Sequence, residues 1–198
     1  VEYYNDDSAH RGGFTNFVLK RSILDDSGCD SRYAIACDWG SGSPAPSISN
    51  DYFSIKFTGK IHIPSDDTYT FYLKSTDGSR LYIDGIKIVD NWGDHNLVEK
   101  SGSVQLTAGK HDILVEYYEA SGSARIELRW NSSLVSKQFV PIDVITPGYV
   151  EEAGKRVGGV LQWALAAANW VYSHLNETQK DEIADRLVEY APKYFGDW

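Results

Sequence analysis

Apolar and polar residues alternate along much of the chain from residue 1 to about 145. Phe53-Ser54-Ile55-Lys56-Phe57 alternates strictly, and Tyr69-Thr70-Phe71-Tyr72-Leu73 does so at most positions. That two-residue period is the signature of a strand with one buried face. Leu81-Tyr82-Ile83 and Ile86-Lys87-Ile88-Val89 flank Asp84-Gly85. An Asp-Gly pair between apolar strands predicts a hairpin, because both turn positions need positive φ. Val104-Gln105-Leu106, Ile113 to Tyr118 and Ala124 to Trp130 continue the pattern, separated by turns at Ala108-Gly109 and Ser121-Gly122. About eight or more short strands at this spacing predict a mainly β domain over residues 1–145, an antiparallel β-sandwich or β-barrel.

From Thr146 the period changes. Thr146-Pro147 reads as an N-cap with proline at the first helical position. Val150, Val157, Leu161, Ala164, Ala168, Val171 and Leu175 then recur at helical spacing. Asn176 and Gln179 resemble a capping box that opens a second helix, and Pro192 closes it. Residues 146–198 therefore read as a C-terminal helical hairpin. Val160, Trp163, Ala167 and Trp170 add a second apolar face to its first helix. A helix apolar on two sides is buried on both, here against its partner helix and the sandwich. The alternative is that Trp163 and Trp170 dock on another chain or a parent protein. The stretch from Val157 to Val171 is too short to span a bilayer, which argues against membrane insertion.

Composition narrows the class. The chain has 198 residues, 42% hydrophobic and 24% charged, as a folded globular protein does. A net charge of -9 disfavours nucleic acid and anionic membranes as partners. The absence of Met and the start at Val1 suggest a processed or excised piece. Cys29 and Cys37 lie in a turn-rich segment with no further Cys or nearby His to complete a metal site. A short-range disulfide in an oxidising compartment is the preferred reading, over two free thiols. No nucleophile elbow, zinc-protease motif or phosphate loop is present, and the five histidines are scattered. The sequence does not read as an enzyme.

The richest cluster is Ser75-Thr76-Asp77-Gly78-Ser79-Arg80-Leu81-Tyr82-Ile83-Asp84-Gly85, followed by Val89-Asp90-Asn91-Trp92-Gly93-Asp94-His95. With Glu2-Tyr3-Tyr4, Asp38-Trp39-Gly40, Phe57-Thr58-Gly59 and Leu128-Arg129-Trp130, these residues resemble the domain family named after the N-terminal fragment of anthrax protective antigen. The resemblance spans residues 1 to about 145, and the helical tail lies outside it. It implies a sandwich used as a module in secreted and cell-surface proteins, often as a lectin or adhesin. In lectin-type members a Ca²⁺ ion on a pair of adjacent aspartates, joined by a cis peptide, bridges to sugar hydroxyls.

Here Thr76-Asp77 stands where the aspartate pair would be, and Glu119 stands near the loop from which a further ligand would come. The expected Ca²⁺ ligands are thus Asp77, Thr76 and Glu119, with one carboxylate fewer and correspondingly weaker binding. The expected carbohydrate contacts are Thr76, Asp77, Gly78, Trp92, His95, Glu119 and Ser121. The resulting expectation is an extracellular, non-catalytic carbohydrate-binding module, possible calcium assistance included. The rival is a structural or protein-interaction module that docks a parent or partner protein through its helical tail.

Overall fold

Two compact units divide the chain, Val1–Tyr149 and Val150–Trp198. The computed structural model describes residues 1–147, which belong to the first unit. The helical hairpin expected beyond Pro147, with Trp163 and Trp170, lies outside the described residues.

The first unit is a sandwich of two antiparallel sheets. Its strands are β1 (Glu2–Asn5), β2 (Asn16–Lys20), β3 (Ala36–Gly40), β4 (Phe53–Ile63), β5 (Asp67–Ser75), β6 (Ser79–Ile83), β7 (Ile86–Asn91), β8 (Val98–Leu106), β9 (Gly109–Glu119), β10 (Ala124–Asn131), β11 (Gln138–Phe139) and β12 (Ile145–Pro147). One sheet runs β2-β1-β4-β9-β6-β7, with β12 also on β4; the other runs β11-β10-β5-β8, with β3 also on β10.

The alternation read from the sequence explains the core. Ile55, Ile61 and Ile63 of β4, Val115 of β9 and Leu81 of β6 point inward from the larger sheet. Tyr69, Phe71 and Leu73 of β5 meet them from the smaller one, beside Ile126 and Leu128 of β10. Asp84 and Gly85 have φ of 50° and 77°, as the hairpin between β6 and β7 requires.

Thr146-Pro147 departs from the expected helix start. Both residues extend β12, opposite Lys60 and Gly59 of β4. Gly59 permits this, since a Cβ there would lie 2.9 Å from the Thr146 carbonyl oxygen. The N-terminal segments are tied down by a buried acid. Asp26 accepts from Tyr3 Oη (2.9 Å), Trp39 Nε1 (2.9 Å) and Gly28 N (3.0 Å), and pairs with Arg21 at 2.9 Å. Next to it Cys29 and Cys37 form the expected disulfide.

The sheets close on each other where β7 meets β8. A bulge leaves Ile88 as an extra residue of β7, opposite the step from Leu81 to Tyr82. The Ile88 carbonyl then lies so near Gly102 that a Cβ on Gly102 would sit 2.0 Å from its oxygen. Gly102→Ala is therefore expected to force the seam apart at a cost of about 1–3 kcal/mol, read by urea unfolding. Wild-type stability in that variant would contradict the close approach.

Candidate functional site

At the end of the sandwich where β5, β7 and β9 finish, the strict alternation breaks down. Tyr117, Tyr118, Glu119 and Ala120 are buried in succession, whereas a strand with one wet face buries every second residue. The reason is a polar network inside this end. Ser75 Oγ donates to the Asp77 carbonyl (2.8 Å) and shares a 2.7 Å hydrogen bond with Ser79 Oγ. Asn91 Nδ2 donates to Ser75 Oγ at 3.3 Å and to the Val98 carbonyl at 3.2 Å.

Asp77 lies at the centre of this end, 7% exposed and with a φ of 53°. Asp tolerates the left-handed conformation better than most residues. Its carboxylate reaches two other loops. Oδ1 accepts from the amide of His95, in the β7–β8 loop, at 3.0 Å. Oδ2 accepts from the amide of Ala120, in the β9–β10 loop, at 2.8 Å. The Asp77 amide in turn donates to the His95 carbonyl at 2.8 Å. A carboxylate acceptor makes the two side-chain bonds stronger than the backbone one between neutral groups.

Three loops so gathered enclose an open, polar pocket of about 460 Å³, lined by Thr76, Asp77, His95, Asn96, Ser121, Gly122 and Ser123. That volume lies within the ~300–1,000 Å³ usual for small-molecule sites. Four of the residues expected from sequence thus come together: Thr76, Asp77, His95 and Ser121. Asn96, Gly122 and Ser123 join them, short polar loop residues that carry no site signal of their own in the sequence. The third loop is braced from outside by Asp51, whose Oδ1 accepts from the Gly122 amide at 3.1 Å.

The other three expected contacts lie elsewhere. Gly78 sits beneath Tyr118, whose ring leaves no room for a side chain (a Cβ would lie 2.0 Å from Cε1). Trp92 is no open platform: the Arg80 guanidinium lies 3.9 Å from its ring centroid, Tyr118 packs edge-on at 4.8 Å, and Gly12 closes on its rim. Asp94 pins this cluster by accepting from Tyr118 Oη at 2.7 Å and pairing with Arg11.

Glu119, at 1% exposure, lies under the pocket rather than in its wall. Its Oε2 accepts from Tyr117 Oη (3.1 Å) and Thr76 Oγ1 (3.3 Å), and its Oε1 is buried without a hydrogen-bond partner. Burial, and then the charge of Asp77, push the Glu119 carboxyl up to about 7. Burial also drives the Tyr117 hydroxyl well above its usual range.

These residues do not fit the calcium ion that the family resemblance implies. Ca²⁺ takes six to eight oxygen ligands, several of them anionic. Both Asp77 oxygens are already held by amides, and Thr76 Oγ1 faces inward, accepting from the Arg125 amide at 2.9 Å. Glu119 is beneath the floor. Thr76 and Asp77 are joined by a trans peptide, as are all the described residues. Among the described residues no three His, Cys, Asp or Glu side chains are grouped to hold a metal.

The described unit is thus an antiparallel sandwich with a polar, loop-built pocket at one end. The chain belongs to the PA14 domain family, whose model matches residues 15–141. It is 37% identical over 124 residues to the anti-sigma-I factor RsgI3 of Acetivibrio thermocellus, covering 62% of this chain and 19% of that protein. The chain thus spans about a fifth of that relative's length. Among solved structures, it is similar to an anti-sigma factor domain-containing protein from Clostridium clariflavum, with 33% identity, a TM-score of 0.63, and coverage of 74% of this chain and 46% of that one. A PA14 sugar-binding domain from an RTX adhesin shares the fold, with a TM-score of 0.54 and 16% identity over 74% of this chain and 96% of its own. Among the described residues no helix is long and apolar enough to cross a membrane.

The state of Glu119 has a consequence for stability. Its carboxyl holds a proton more tightly folded than unfolded, so its contribution is complete below the ordinary 4.5 and is lost as pH rises through about 7. Glu119→Gln, which cannot ionise, is expected to gain on the wild type by on the order of 2 kcal/mol between pH 4 and pH 8 in denaturant titrations. A pH-independent difference between the two proteins would contradict the burial of an ionisable group there.

Proposed function

We propose that the sandwich is a non-catalytic carbohydrate-recognition module of a larger extracellular or cell-surface protein, with the pocket at Thr76, Asp77, His95, Asn96 and Ser121–Ser123 as its ligand site. The observation that carries this reading is the pocket itself, where hydroxyl, amide and backbone groups are brought together by one buried carboxylate. Hydroxyls and amides both donate and accept, which suits a ligand made of hydroxyl groups. The fold shared with a sugar-binding domain of an adhesin supports the same class. The disulfide between Cys29 and Cys37 supports an oxidising compartment. The names of two relatives support a setting in a regulatory protein of the anti-sigma type, in which the module would report an extracellular sugar.

The rival reading, a protein-docking module, is favoured by those same names and predicts a different outcome. On a glycan array the full chain is expected to bind a restricted set of oligosaccharides. Ser121→Trp, on the exposed rim, is expected to fill the pocket and lower that binding at least ten-fold, about 1.4 kcal/mol, with the melting temperature unchanged. Glycan binding that survives the substitution would remove the pocket from the account, and no binding to any glycan would favour protein docking.

A further inference from the structure

We infer that the pocket takes a neutral polyol directly, without a bridging cation, and that Asp77 serves it as a positioning residue which staples the three loops together. This rests on the carbohydrate reading for its ligand, but the staple stands on geometry alone. A cation bridge needs carboxylate oxygens that face the ligand and are free to coordinate. The only carboxylate among the lining residues is that of Asp77, and each of its oxygens already accepts an amide hydrogen bond, from His95 N at 3.0 Å and from Ala120 N at 2.8 Å, so no second carboxylate is there to complete a cation site. Those bonds join the β5–β6, β7–β8 and β9–β10 loops, which is the structural work a bound cation would otherwise do. Thr76 repeats the arrangement on a smaller scale. Its hydroxyl accepts from Arg125 N at 2.9 Å, and its amide donates to the Arg125 carbonyl at 3.0 Å, so it fastens the loop to β10 rather than facing a ligand.

The charge of the site sets the class of sugar. No Lys or Arg is among the lining residues; the His95 ring is held by the Asn91 and Asn96 carbonyls, the Thr76 hydroxyl faces inward, and Ser121, Ser123 and Asn96 supply neutral side chains on the rim. Asp51 supports the rim from outside through Gly122, and Asp94 stands in the same loop as His95. A uronate, sulfate or phosphate entering here would meet the Asp77 carboxylate and no lysine or arginine among the lining residues, and would lose its hydration without recompense. A neutral sugar meets groups that both give and accept hydrogen bonds.

The test uses the ¹⁵N-labelled full chain with calcium chloride alone, with cellohexaose and xylohexaose as neutral probes, and with hexagalacturonate as the acidic one. Calcium at the millimolar level that saturates weak extracellular sites is expected to leave the His95 and Ala120 amide signals in place. A neutral probe is expected to bind with an affinity unchanged by EDTA and at least ten-fold above that for hexagalacturonate. In Asp77→Asn, which tolerates the positive φ but keeps only one acceptor, hydrogen-exchange protection is expected to fall about ten-fold or more at His95 or Ala120 while Val115 and Leu128 keep theirs. Asp77→Ala is expected to lose it at both. Saturable calcium shifts at those amides, or binding abolished by EDTA, would overturn the metal-free site. Protection unchanged in Asp77→Ala would overturn the staple. If no oligosaccharide binds, the carbohydrate reading fails, and the calcium titration with the two variants still decides the staple.

Discussion

A carboxylate taken out of water must find donors, and at Asp77 the donors are main-chain amides of two other loops. That requirement organises the whole site end of the sandwich. Burying one unpaired carboxylate costs several kcal/mol, so the loops that hold His95 and Ala120 are drawn to it and kept there. The left-handed backbone at Asp77 turns the β5–β6 connection inward so that the carboxylate reaches both. Ser75 and Asn91 then donate to the Asp77 and Val98 carbonyls behind the turn, with Ser79 bonded to Ser75. Glu119, beneath the same carboxylate, keeps its proton more readily, first through its burial and then through the charge of Asp77.

The rest of the fold supplies the frame. The long pairing of β4 with β9 runs from Phe53 opposite Glu119 to Ile63 opposite Gly109, so the hydrophobic register fixes where β9 ends and where Ala120 begins the third loop. On the outside, the segment between β1 and β2 lays Gly12 against Trp92 and Tyr118 and brings Arg11 to Asp94. The β7–β8 loop is therefore held from both sides, by Asp77 within and by this segment without. Such support is what a binding site on loops needs to keep its geometry. With Thr76 where the family resemblance implies an aspartate, the pocket lining holds one carboxylate, and its oxygens accept from the His95 and Ala120 amides.

Much of the frame was legible in the sequence. The alternation in Phe53–Phe57 and Tyr69–Leu73 and the Asp84-Gly85 turn gave strands and a hairpin that the structure contains, because each depends on a local period or a local dihedral demand. The N-terminal half of β8, Val98 to Ser103, has no apolar period and so carries no strand signal; it is an edge strand with its polar side chains in water, held by pairing with β5. Thr146-Pro147 misled for the opposite reason, since a good local cap signal was overridden by pairing with β4. For the site, the loop carrying Thr76 and Asp77 was legible through a family resemblance. What those residues do was not. Whether Asp77 faces a ligand or two amides, and whether Trp92 is open or covered by Arg80, depends on residues far away in the chain.

The most telling experiment is a crystal structure of the full chain soaked with a neutral oligosaccharide in the presence of EDTA. The account predicts sugar hydroxyls hydrogen-bonded to Asn96 and to the Ser121–Ser123 loop, with Asp77 still holding His95 and Ala120. Sugar bound only when calcium is supplied, or bound at another face of the sandwich, would contradict it.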